Sequence, residues 1–156
     1  VEQNIRDLVV KTISVYEEET IKHFRFILHE YPYHPDTKFI LLELQGHSGD
    51  FGIAVSAMAD WGAQLFTNAY GDSDSALGGF DISSMSQYPN EITQSLDFLE
   101  EISFQTKKYI PFFLQECFNE AGGKESRFPF YLRYNNGDVY DFMAEEFPDY
   151  IEGLDA

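Results

Sequence analysis

Four histidines, one cysteine and a large surplus of carboxylates are the side chains of this chain with chemistry to offer. His23, His29, His34 and His47 invite a metal reading, and His29 and His34 lie on either side of Pro32. Zinc centres take three or four ligands with close pairs at defined spacing. No His-Glu-x-x-His motif and no cysteine cluster is present, so the histidines read as surface or turn residues and no metal is assigned. Asp72-x-Asp74 resembles the opening of a calcium loop. Loop position six, which must be glycine, is Leu77, and position twelve, the bidentate glutamate, is Ser83. The glycines at 46, 49 and 52 suggest a phosphate cradle, but no lysine follows them and Asp50 would face the anion. No Gly-x-Ser-x-Gly elbow supplies a serine nucleophile. Cys117 falls in an apolar helical run beside Glu116 and Glu120, a setting that opposes the thiolate, so it reads as a small buried hydrophobe. Carboxylates are so abundant that any two can be paired for acid–base work, and no catalytic residue or cofactor is assigned. One enzymatic alternative is kept: a hydrolase with a site near His47 and Asp50, completed by a loop over residues 70–90.

Charge sets the strongest bound on function. Twenty-seven acids against ten lysines and arginines give a net charge of −17 over 156 residues. From Phe39 to Thr106 no base interrupts the chain, and after Arg133 the acids Asp138, Asp141, Glu145, Glu146, Asp149, Glu152 and Asp155 again stand without one. Such a field repels nucleic acid and anionic membrane and draws in basic partners. Yet 44% hydrophobic and 17% aromatic residues provide for a real core, where a disordered acidic chain would be poor in both. The length fits one domain over residues 1–156. A lone cysteine excludes an internal disulfide and agrees with a cytoplasmic setting. Neither a secretory leader nor an apolar run of about 20 residues is read along the chain.

The elements follow from periodicity. Ile5, Leu8, Val9, Ile13, Tyr16, Thr20, Phe24 and Ile27 recur at helical steps, which predicts one long helix from Glu2 to Glu30, ended by Pro32 and Pro35. Two strands follow, Thr37 to Gln45 and Phe51 to Met58, antiparallel across a short turn. Trp61 to Tyr70 reads as a weak third strand, and Tyr70 to Asn90 as a long glycine- and serine-rich loop. Glu91 to Ala121 is a helix, or two divided at Pro111, closed by Gly122-Gly123. Phe128 to Tyr134 and Val139 to Met143 form a hairpin about Asn135-Asn136-Gly137-Asp138. Ala144 to Leu154 reads as a short acidic helix. The order specifies an α+β fold, an antiparallel sheet with two long helices packed on it.

In the last third, aromatics interleave with acids. Strand alternation buries some of the rings, and the rest would form an anchor set rimmed by carboxylates, the usual make-up of a binding hot spot. The candidate partner-binding residues are therefore Tyr134, Asp138, Tyr140, Asp141, Glu145 and Glu146, together with Asp72, Asp74 and Asp81 of the long loop. In general character, over the whole chain, this small acidic α+β protein with aromatic-rich strands and an Asn-Asn-Gly-Asp hairpin resembles the immunity proteins of bacterial polymorphic and contact-dependent toxins. The resemblance implies inhibition by binding: the protein covers a toxin's active or substrate-binding cleft and performs no reaction. No residue roles are carried over from it. A structural subunit, dimerising through an apolar helix face, is a further reading, and monomer or homodimer is left open.

Self-repulsion among the carboxylates opposes folding, and salt screens it within about 8–10 Å at moderate ionic strength. The melting temperature is expected to rise between about 20 and 200 mM NaCl, in the range where the screening length shortens most. A flat or falling melting temperature would contradict this.

Overall fold

The computed structural model describes residues 2–154, so Asp155 and the chain start at Val1 lie outside the described residues. The chain opens with two helices, α1 (Glu2–Ser14) and α2 (Glu17–His29), where periodicity alone predicts one. The break has local causes. The Ser14 hydroxyl bonds back to the Val10 carbonyl at 2.6 Å, and the Tyr16 amide reaches only to Ile13. Tyr16 takes φ −90° and ψ 4°, and Glu17, Glu18 and Glu19 then crowd the first turn of the new helix. Three acids are favoured at a helix N-terminus, where the dipole is positive, and disfavoured mid-helix beside one another.

Two long strands follow, β1 (Phe39–His47) and β2 (Asp50–Asp60), paired antiparallel from Phe39↔Met58 to His47↔Asp50. Ser48 and Gly49 make the hairpin turn, with Ser48 at φ 58°. Of the expected third strand only β3 (Ala63–Leu65) forms. The expected loop over 70–90 is corrected more strongly. It contains β4 (Gly79–Ser83), which pairs with the first half of β2, while β3 takes the second half of the same edge. Phe80 and Ile82 alternate with Asp81 there; β2 supplies the ladder partners that the glycine-rich composition conceals.

A short helix α3 (Asn90–Thr93) leads into α4 (Leu96–Glu120), capped by the Ser95 hydroxyl on the Phe98 amide. α4 runs unbroken through Pro111 to Glu120, and Gly122 just beyond its cap, at φ 89°, is the left-handed closure expected there. β5 (Phe130–Arg133) and β6 (Val139–Asp141) form the last hairpin. β5 lies parallel to β1, Ile40 opposite Phe130, so the six-stranded sheet is mostly antiparallel with one parallel pair, in the order β3-β2-β1-β5-β6. The segment after β6 is not the expected acidic helix; it is a series of turns, with Glu145 at φ 58°. Pro148 and the like-charged Glu145, Glu146 and Asp149 give a helix there little support.

The described residues thus form an α+β fold with the helices on one face of the sheet. Strand alternation decides which side chains meet them. Ile40, Leu42 and Leu44 of β1, Phe51, Ile53 and Val55 of β2, and Phe130 and Leu132 of β5 point into one core with Val9, Ile13, Phe24, Ile102, Leu114 and Phe118. At its centre Phe24, Phe118, Phe130 and Phe142 pack ring against ring at 5.0 to 6.4 Å. The opposite face carries a smaller cluster, Phe39, Leu41 and Met58 with Trp61 and Tyr131.

Cys117 is buried as expected, and burial pushes its thiol up to about 12. Burial also raises the Tyr33 phenol, which donates to the Ile27 carbonyl at 2.7 Å. The sign follows from linkage: both groups stay protonated in the folded state, while an unfolded chain ionises them from about pH 9–10 upward. Their contribution to stability is complete below that range and is lost as pH climbs toward 12. The urea midpoint is expected to hold level from pH 7 to 8.5 and to fall above pH 9, and Cys117 should react with an aromatic disulfide reagent only after unfolding. Rapid native-state labelling near pH 8 would contradict the placement.

Candidate docking cavity between the long helix and the last hairpin

Pro111 sits in the interior of α4. Lacking an amide hydrogen, it cannot donate to the carbonyl four residues back, that of Lys107. The Tyr134 hydroxyl takes the vacant position and donates to the Lys107 carbonyl at 2.7 Å. The chain leaving β5 is thereby pinned to the middle of α4. Tyr140 makes the second tie: its hydroxyl donates to Gln115 Oε1 at 2.8 Å, while Gln115 Nε2 donates to the Phe142 carbonyl and to Asn119. Both tyrosines sit on the helix-facing side of the hairpin and are largely buried, and burial raises both phenols.

Beyond β6 the chain turns sharply because Asp141 Oδ1 accepts from the Met143 and Ala144 amides. Asp141 then pairs backbone to backbone with Glu146, which returns Phe147 across the hairpin. The Phe147 ring meets Tyr140 at 5.1 Å and Tyr134 at 6.0 Å, both edge-on. Glu145 is drawn outward to Lys124, whose ammonium donates to its carboxylate at 2.6 Å, and that hydrogen bond holds the Glu145 carboxyl below the usual range.

These ties leave a cavity of about 540 Å³. One wall is α4, with Phe104, Lys107, Lys108, Pro111 and Phe112; the other is the hairpin and its return, with Tyr134, Asn136, Asp138, Tyr140, Glu145, Glu146 and Phe147. Phe104, Phe112 and Phe147 remain 59%, 69% and 49% exposed, large apolar rings held at the mouth. A second cavity of about 360 Å³ adjoins it, lined by His47, Ser48, Leu96, Leu99, Glu100 and Ser103, and sharing Phe104 and Lys107.

Of the nine residues expected to bind a partner, five meet at the first cavity: Tyr134, Asp138, Tyr140, Glu145 and Glu146. Asp141 does not line it. Tyr140 faces the helices, so the next residue along the strand faces away, and Asp141 acts as the cap that shapes the turn. Asp72, Asp74 and Asp81 lie elsewhere. Asp81 is on β4, four strand spacings from β6, roughly 19 Å at about 4.8 Å per strand. The linear segregation of charge therefore does not become one acidic face: the base-free run winds through β1 to β4 and into α4, and acids stand at both sheet edges. Lys107 and Lys108 place two cations on the α4 wall.

Of the alternative hydrolase site, His47 and Asp50 stand opposite each other at the end of the β1–β2 hairpin. His47 lines the second cavity with α4, and the Asp50 carboxylate, which does not line it, accepts from the Met85 amide of the 70–90 segment at 2.7 Å. Three of the histidines are individually engaged. His23 bonds the Leu77 carbonyl and packs on Phe80, His29 bonds the Ala121 carbonyl at the end of α4, and His34 Nδ1 accepts from the Asp36 amide. Burial lowers the pKa of His23. Among the described residues no three His, Cys, Asp or Glu side chains gather in a way that could hold a metal ion, and no helix is long and apolar enough to cross a membrane.

Sequence reasoning missed the α4 wall. A signal was present: Phe104 and Phe112 fall outside the apolar stripe of Ile102, Thr106, Ile110 and Phe113, which leaves two phenylalanines eight residues apart on the solvent side. No protein-family model, no curated protein and no solved structure matches the chain.

Removing the Tyr134 hydroxyl strands the Lys107 carbonyl, so Tyr134→Phe should cost about 1–2 kcal/mol in urea unfolding. Pro111→Ala restores the missing amide donor. In that background Tyr134→Phe should cost less than half as much, a double-mutant coupling that an equal cost in both backgrounds would refute.

Proposed function

We propose that this chain is an acidic protein-binding module which neutralises a basic partner by covering that partner's active or substrate-binding cleft, and that the partner is a toxin domain for which this chain is the immunity protein. The observation that carries the reading is the cavity between α4 and the last hairpin, where Phe104, Phe112 and Phe147 stand exposed beside Asp138 and Glu146. Large rings at the mouth of an apolar cleft are poorly placed for a free surface and well placed for an interface, since buried aromatic anchors carry most of the energy in protein recognition. Charge supports the same reading in a different role. A net −17 steers cationic proteins from a distance and raises association rates toward ~10⁸–10⁹ M⁻¹s⁻¹ at low salt, against ~10⁵–10⁶ for neutral pairs. The acids set who arrives, and the rings set how long it stays. The resemblance to immunity proteins rests on general character and enters here as support for the toxin domain as partner.

Proteins retained from lysate on the immobilised chain at low ionic strength should be basic. Association with a purified one should slow at least about tenfold between 20 and 300 mM NaCl, as screening removes the steering. Phe112→Ala and Phe147→Ala should leave that rate nearly unchanged and raise the dissociation rate by about tenfold or more. An association rate insensitive to salt, or dissociation unchanged in both variants, would overturn the proposal.

A further inference from the structure

The two cavities along α4 specify more than a basic partner. We infer that they form one groove that seats an amphipathic, basic α-helix of that partner, with apolar anchors two turns apart. The inference rests on the protein-binding reading above.

Spacing carries it. On α4 the first cavity is centred near Lys108 and the second near Ile102, since they extend over Phe104–Phe112 and Leu96–Lys107. At about 1.5 Å per residue the centres are roughly 9 Å apart along the helix axis. A partner helix presents residues i and i+7 on one face about 10.5 Å apart, which fits both cavities at once. An extended segment repeats on one face every ~6.7 Å, so its same-side residues fall at about 7 and 13 Å, to either side of that separation. Phe104 belongs to both cavities and is the ridge between them, a shape that enters the groove between successive turns of a packed helix.

Charge selects the helix's polar flanks. Asp138 and Glu146 rim the first cavity and Glu100 the second, so lysine or arginine on the flanks meets a carboxylate at either end. Lys108 lies over the Phe104 ring at 5.9 Å, and Lys107 lines the wall beside it. Opposite that ridge the partner carries a neutral or acidic residue, and bases lie only outside it. A second copy of this chain is a poor occupant, because it would bring another net −17 against the first.

Binding of the full chain to three synthetic peptides of equal composition tests this by fluorescence anisotropy. One places leucines at i, i+3 and i+7 among lysines and alanines, one alternates them in strand pattern, and one is scrambled. The helical pattern should bind at least about tenfold tighter than either control and gain helicity by circular dichroism on binding, and Phe104→Ala with Phe112→Ala, both at exposed positions, should abolish that advantage. Replacing Asp72, Asp74 and Asp81 by asparagine should weaken all three peptides by a similar, small, salt-dependent factor. Equal, salt-sensitive binding of all three peptides would overturn the helix while leaving the basic-partner reading intact. No binding of any cationic peptide would overturn both.

Discussion

A proline in the middle of a long helix leaves one carbonyl without its donor, and the docking of the last hairpin answers that vacancy. Pro111 removes the amide that Lys107 would have used, and Tyr134 supplies a hydroxyl in its place. The arrangement has two consequences. It fixes the hairpin's height along α4, and it sets a gap beside the proline that neither element fills. Tyr140 and Gln115 hold the far side of the same gap. A buried polar group without a partner is costly, so these ties are more demanding than apolar contact alone, and they explain why an open cleft persists beside a close-packed core.

The rim is shaped by a second local device. Asp141 turns the chain by accepting two amides, and the returning strand bridge brings Phe147 over both tyrosines. The result separates aromatic residues by job. Phe24, Phe118, Phe130 and Phe142 are core, Tyr134 and Tyr140 are the floor of the cavity, and Phe104, Phe112 and Phe147 are its exposed lip. The last group draws on both walls, so the cleft is complete only when helix and hairpin are docked.

Charge acts on another scale. The acids occupy every helix and both edges of the sheet, and among the described residues pairs with bases such as Glu43–Arg133 and Glu145–Lys124 are partly exposed. Pairs of that kind contribute little to stability. The net field nevertheless extends about a Debye length into solvent and selects cations without needing a patch. Under the proposed function, steering and gripping therefore fall to different residues, the first to all the carboxylates together and the second to a handful of rings with Asp138, Glu146 and Glu100 beside them.

Much of the architecture was legible from local rules. Alternation located β1, β2 and the last hairpin, Asn135–Asp138 named its turn, Gly122 closed α4, and burial of Cys117 followed from its acidic, apolar setting. The local rules failed where competing preferences were close: one helix became two at Tyr16, and β4 formed from a glycine-rich segment because β2 offered it an edge. The candidate site divided in the same way. Tyr134, Asp138, Tyr140, Glu145 and Glu146 are neighbours in sequence and stay neighbours in space, so composition found them. Asp141 does not line the cavity, because alternation along β6 turns it to the other face, and Asp72, Asp74 and Asp81, grouped with them on charge, lie elsewhere because charge carries no distance. Sequence by itself determined the sign of the field, the aromatic wealth and most of the elements, because these depend on residue type and short-range spacing. Only the tertiary structure decided that α4 is the opposing wall, because the Lys107 carbonyl and the Tyr134 hydroxyl are 27 residues apart and meet only through the packing of the whole core.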